Sequence, residues 1–275
     1  MRFEEQSELI WEQFPSEYLD IAVFVTDLGD VTAIILLLSI LYWVSDRKKV
    51  ALVASFTVAG ISAILLLKTA LAMPRPEAEI VARTYDPYGF PSAHAFISVV
   101  VYGGLVYVFE RYREPVLAVA VGVLIAAISI TRVIIGVHYL GDIIAGAVLG
   151  IVFLPFMYRL TGTVPRRGFA IGVLISVPAV AVTSGEATML ALIGLGAGVG
   201  GLLPTIRLDA VPSLQTRREG VLLVVLGVGW LVGIGILESA LAGESPVLVA
   251  GFHAILVGGI FLLPVVSHHL ETRLG

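Results

Sequence analysis

Apolar residues run almost unbroken through most of this chain, in stretches too long for strands and too uniformly apolar for surface helices. Nine such stretches are marked, over 29–45, 50–72, 93–109, 115–137, 139–158, 168–183, 187–204, 220–242 and 246–266. Most are close to the roughly 20 apolar residues a helix needs to cross the hydrocarbon core of a bilayer. The pattern therefore predicts an all-α polytopic membrane bundle of about nine transmembrane helices. Residues 1–28 read differently. Glu4, Glu5, Glu8, Glu12, Glu17 and Asp20 alternate with Leu9, Ile10, Trp11, Phe14, Tyr18 and Leu19, which predicts an interfacial amphipathic helix rather than a signal peptide, since a signal peptide begins with basic residues. Ile21 to Val25 are expected to dip deeper.

Composition agrees with the pattern: of 275 residues, 58% are hydrophobic and only 14% charged, against about a quarter charged in soluble domains. The net charge of −4 is spread over loops, with no basic block suited to nucleic acid. Cysteine is absent, which excludes disulfides, thiolate metal sites and cysteine nucleophiles. Basic residues fall in alternate loops: Arg47, Lys48 and Lys49, then Arg111 and Arg113, then Arg159, Arg166 and Arg167, then Arg207, Arg217 and Arg218, and finally Arg273. The positive-inside rule places these loops in the cytoplasm and gives an N-out, C-in protein. Arg75 and Arg83 then lie on the outer side, where positive charge is otherwise avoided.

Those arginines belong to a wider set of polar residues at the outer ends of the spans. Lys68 lies near the end of the second span, in LLLKTALAMPRP. Snorkelling accounts for a lone lysine there, but Arg75 follows between Pro74 and Pro76, which end the helix and hold the chain at the surface. The loop continues through Arg83, Tyr85 and Asp86 to GFPSAHAF, where Ser92 starts the third span. Ser92 reads as an N-cap, and the N–H groups of Ala93 and His94 at a helix N-terminus suit an anion. His94 taken singly is also consistent with an interfacial polar tip. Arg132 lies inside the apolar run VGVLIAAISITRVIIGV, where an unpaired guanidinium costs on the order of several kcal/mol, so an anionic partner is expected. His138 and Asp142 are four residues apart, on one face of a helical turn. The carboxylate would fix the imidazole tautomer, leaving the second ring nitrogen free to attack phosphorus.

The three patterns, KxxxxxxRP over Lys68–Pro76, PSxH over Pro91–His94 and xRxxxxxHxxxD over Thr131–Asp142, resemble in order and spacing the type 2 phosphatidic acid phosphatase (PAP2) superfamily. Two positions depart from that pattern: Ala93 stands in place of a glycine and Thr131 in place of a serine, which keep the backbone donor and the hydroxyl respectively. The resemblance implies an acid phosphatase that uses no metal and no cofactor. In it His138 takes the phosphoryl group as a phosphohistidine, with Asp142 orienting it. His94 protonates the leaving oxygen and then activates water, while Lys68, Arg75, Ser92, Ala93 and Arg132 hold the phosphoryl oxygens.

The expected substrate is a lipid phosphate or isoprenoid diphosphate that enters from the bilayer on the extracytoplasmic side of the cell membrane, with membrane lipids as surroundings and no nucleic acid as partner. Nine spans and TDLGD before the first of them are similar to the glucose-6-phosphatase branch, so a sugar phosphate is the alternative. A catalytically inactive binding or transport protein is the alternative of another class, opposed by the intact His94, His138 and Asp142. The reading divides the chain into an interfacial segment over 1–28, a catalytic helical core over 29–160 and an additional four-span region over 161–275. Glycines in GAVLG, GLGAGVGG and GVGWLVGIG predict close helix packing. Glu238 and His253 are a candidate polar pair within the last two spans.

Overall fold

The structure is a computed structural model that describes residues 2–76, 88–206, 214, 216–241 and 245–274, with side chains to residue 267. Arg83, Tyr85, Asp86 and Arg207, and the side chain of Arg273, lie outside the described residues. The described chain is helical: α1 Glu4–Gln13, α2 Leu19–Asp27, α3 Val31–Val44, α4 Arg47–Leu71, α5 Ala93–Ser98, α6 Gly104–Val108, α7 Pro115–Ile134, α8 Leu140–Thr161, α9 Pro165–Val182, α10 Glu186–Leu202, α11 Arg217–Leu241 and α12 Pro246–Leu274.

Among the described residues seven helices are long and apolar enough to cross a bilayer, and together they mark a membrane protein. An eighth span is formed if α2 and α3, bent by 50° at Leu28–Asp30, act together. The remaining marked stretch, 93–109, is a shorter apolar helix whose middle, Val99–Gly103, is a π-helical turn. Nine full spans are therefore not what the helix lengths give.

Local chemistry sets the helix ends. Asp46 caps α4 through its side chain, accepting from Lys49 N at 3.0 Å, and α4 ends where Ala72 turns left-handed (φ 48) and donates to Lys68 O. Pro115 and Pro165 stand in the first turns of α7 and α9, where no backbone N–H is needed. The loop after α4 is pinned at its base by a backbone bridge between Pro74 and Tyr88 and by Gly89 N donating to Met73 O.

Helix α4 is central, its apolar window 72% buried against 22% for α11. Around it a core that includes Trp43, Phe56, Phe96, Phe169 and Phe261 joins the two halves. Small residues let the helices meet. A Cβ at Gly146 would stand 2.4 Å from Ser92 O, and one at Gly150 2.9 Å from Phe96 O, so GAVLG seats α8 directly on α5. In GLGAGVGG, Gly196 and Gly200 admit the carbonyls of Ala250 and Ala254 on α12. GVGWLVGIG follows its expectation only in part: Gly227 fits under Trp43, whereas a Cβ at Gly229, Gly233 or Gly235 would meet open space. Glu238 and His253 do pair, with Nδ1 3.2 Å from Oε1.

Candidate active site

Residues from α3, α4, α5, α7 and α10, with Arg75 after α4 and His138 in the turn after α7, line a cavity of about 140 Å³. Lys68, Arg75, Ala93, His94, Arg132 and His138 line it, together with Asp30 and Glu186. The three motif-bearing stretches of sequence thus share one space with two others, those of Asp30 and Glu186. Lys68, Arg132 and His138 are almost wholly buried, which in an apolar bundle is costly for the charged pair unless counter-charge or a ligand compensates.

His138 lies in the turn between α7 and α8, where Val137 N and His138 N both donate to Arg132 O and tie the turn to the helix that carries the guanidinium. Arg75 Nη1 donates to Val137 O at 2.9 Å and meets His138 Nε2 at 3.1 Å. A guanidinium is only a donor, so Nε2 is the lone-pair nitrogen and Nδ1 carries the proton. Nδ1 faces Asp142 Oδ2 at 3.4 Å. Burial, and then the neighbouring Arg75, Arg132 and Lys68 cations, hold the His138 imidazole well below its ordinary pKa. Its ring is a neutral base with its lone pair toward Arg75. Asp142 is fully buried and accepts also from Tyr139 N at 3.1 Å and from both forks of the Arg2 guanidinium at 2.9 and 2.8 Å.

The third stretch is anchored to the same centre, since Ser92 N donates to Asp142 O at 3.0 Å. The Ser92 side chain accepts from Ala95 N and acts as the N-cap of α5, while Ala93 and His94 reach the cavity wall. His94 Nε2 lies 2.8 Å from Asp30 Oδ1. Arg132 Nη1 donates to the Thr26 hydroxyl at 3.3 Å. The arrangement presents a histidine whose second nitrogen is unprotonated, a second histidine held by a carboxylate, and three cations around one space, a combination that could bind an oxyanion and stabilise charge on it.

The comparison with known families points the same way. Residues 48–166 match the PAP2 superfamily. That match contains Lys68, Arg75, Ser92, Ala93, His94, Arg132, His138 and Asp142. No curated protein and no solved structure matches the chain.

Four polar residues at or beside the cavity lie outside the PAP2 match and were not singled out by sequence: Arg2, Thr26, Asp30 and Glu186. Asp30 had a partial signal, as an acid at the start of the 29–45 stretch, on the side where His94 begins the third. It stands at the N-cap of α3, yet its side chain makes no cap bond there and turns to His94. Gly29 beside it is needed for that approach, since a Cβ there would stand 3.1 Å from the His94 ring. Glu186 brings the second half of the chain to the site from the first turn of α10. Arg2 is one arginine in an acidic segment, and nothing in its neighbours marks it.

Proposed function

We propose that this protein is a metal-independent membrane phosphatase that hydrolyses a lipid phosphate or isoprenoid diphosphate through a phosphohistidine intermediate on His138. The observation that carries the reading is the His138 lone-pair nitrogen beside Arg75, in a cavity that Lys68 and Arg132 also line.

In this mechanism the substrate's phosphoryl oxygens take the Arg75, Lys68 and Arg132 donors, and Arg75 exchanges its contact with Nε2 for one with phosphate. The His138 Nε2–P bond forms as the P–O bond to the leaving group breaks, an alcohol from a monoester or a lipid monophosphate from a diphosphate, and charge developing on the imidazole is met by Asp142. With Nε2–H of His94 donating to Asp30, Nδ1 is the nitrogen left for the leaving oxygen, and it delivers a proton there from the imidazolium form, whose charge the Asp30 carboxylate balances. The same nitrogen then takes a proton from water as the water attacks phosphorus and the N–P bond breaks, releasing inorganic phosphate.

A hydrophobic tail is supported by a second cavity, of about 80 Å³ and almost wholly apolar, that shares Val31 and Ile61 with the first. It follows α3 from Val31 to Tyr42, a helical rise of about 16 Å. We place the site on the extracytoplasmic side, because the basic loops cluster at the opposite helix ends. A sugar phosphate is the second reading, favoured by the Glu186 carboxylate at the wall as an acceptor for hydroxyl groups.

The test is phosphate release by the purified protein in detergent from phosphatidate, phosphatidylglycerophosphate, a polyprenyl diphosphate and glucose 6-phosphate, with His138→Ala as the blank. The reading expects His138-dependent release from one or more lipids and little from glucose 6-phosphate. Preference for glucose 6-phosphate overturns the substrate class. Release from nothing, or release that the His138→Ala protein matches, overturns the phosphatase.

A further inference from the structure

Arg2 sits in a place shaped for it. Its Nε and Nη2 grip both oxygens of Asp142 at 2.9 and 2.8 Å, and Nη1 donates to Pro74 O at 2.8 Å. The guanidinium carbon lies 4.5 Å from the centre of the Tyr139 ring, and Arg2 O accepts from Gly141 N at 2.9 Å. Two glycines leave the room: a Cβ at Gly141 would come within 2.8 Å of Arg2 Cα, and one at Gly89 within 2.9 Å of Nη2. Phe3 takes a left-handed conformation (φ 57) to turn from this position into α1, an arrangement that costs on the order of 1 kcal/mol and persists only where contacts hold it. One turn into α1, Ser7 is fully buried and its hydroxyl accepts from Leu140 N at 2.8 Å.

The buried Asp142 carboxylate would otherwise have Tyr139 N and a long, neutral contact from His138. A forked guanidinium both neutralises it and fixes the plane of its oxygens. The same side chain holds the carbonyl of Pro74, the residue before Arg75. Arg2 therefore ties the segment bearing Arg75 to the segment bearing His138 and Asp142.

We infer that Arg2 is a positioning residue of the reaction, setting the His138–Asp142 pair and the Arg75 segment without touching substrate. The inference rests on the phosphatase reading above. His138 faces Arg75 and Lys68, Arg132 from α7, His94 from α5 and Asp142 from α8, with Arg2 behind Asp142 and Glu4 and Glu8 near Tyr139. Removing Arg2 takes a cation from this set and leaves Asp142 to His138, so the imidazolium gains stability and the acidic limb of the rate profile moves to higher pH.

The experiment compares full-length wild type, Arg2→Ala and Arg2→Lys on whichever substrate shows His138-dependent release, recording kcat, KM, pH dependence and melting temperature. Arg2→Ala is expected to lower kcat about 10- to 100-fold, by analogy with the loss seen when a metal-binding side chain is deprived of the outer partner that orients it. Its KM should change little and its acidic limb should move up. Lysine keeps the charge without the fork, and should return part of kcat and move the limb back. If Arg2→Ala fails to fold, the Lys variant carries the test through its own loss of kcat. A folded Arg2→Ala protein with kcat within twofold of wild type overturns the inference, as does a loss of kcat with an unmoved limb, which would mean general loosening. Both outcomes leave the phosphatase standing as long as His138→Ala is inactive.

Discussion

Replacing Gly146 by alanine adds a single methyl group outside the residues that line the cavity, and the packing of α5 on α8 makes its effect calculable. The new Cβ would lie 2.4 Å from Ser92 O and 3.2 Å from Ala95 Cβ. Contacts shorter than 3.0 Å essentially never occur at a Cβ, so the first turn of α5 must retreat by about 0.6 Å or more, because close-packed interiors transmit such strain instead of absorbing it. His94 rides on that turn, while His138 and Asp142 are fixed to the start of α8, so the substitution separates the two histidines. A misplacement approaching 1 Å costs up to about 100-fold in rate, and overpacking costs about 1–3 kcal/mol of stability. The assay is kcat with the lipid substrate beside thermal unfolding, with Gly122→Ala as the control, since a Cβ at Gly122 meets nothing within 4 Å. Gly146→Ala should lose at least tenfold in kcat and melt lower, and Gly122→Ala should keep wild-type kcat. A folded Gly146→Ala protein with wild-type kcat would refute the claim that the α5–α8 seam sets the catalytic geometry.

Other consequences can be checked with the same protein. Asp30→Asn keeps the shape but removes the charge beside His94, and should lower kcat more than it raises KM; an unchanged kcat would remove Asp30 from the proton-transfer step. In the proposed mechanism His138 attacks unprotonated, and its pKa is held well below the ordinary value, so the acidic limb of kcat should fall below the unperturbed histidine pKa of about 6.5; a limb above that value would contradict the electrostatics of the cavity. Vanadate, a mimic of pentacoordinate phosphorus, should compete with substrate, and EDTA should leave the rate unchanged; a requirement for added Mg²⁺ would replace the three cations as the electrophile.

Much of the architecture could be read directly from the chain, because a helix in a bilayer must be apolar along its whole length and the signal is long and local. What stayed hidden depends on bends and on contacts between distant segments. The polar TDLGD interrupts the apolar pattern at the start of the 29–45 stretch, yet the apolar α2 lies on the other side of a 50° bend whose interior carries Asp30. The third marked span hides a π-helical turn that the sequence VVVYG does not announce. The site was legible where chemistry is improbable in isolation: a guanidinium at Arg132 inside an apolar run, and His138 four residues before Asp142. Ser92, expected both to cap α5 and to hold a phosphoryl oxygen, caps α5 through its hydroxyl and is not among the described residues that line the cavity. Arg2, Thr26 and Glu186 were illegible because each is ordinary in its own neighbourhood and acquires meaning only from the partner that folding brings to it.

The claim underneath all of this is that His138 Nε2 bonds to phosphorus. Brief incubation of the purified protein with substrate carrying ³²P in the transferred group, followed by an alkaline quench that preserves phosphohistidine, tests it directly. The account predicts label on the peptide containing His138, released by acid and absent from the His138→Ala protein. Label on any other residue, or rapid turnover with no protein-bound phosphate at any time, would contradict it.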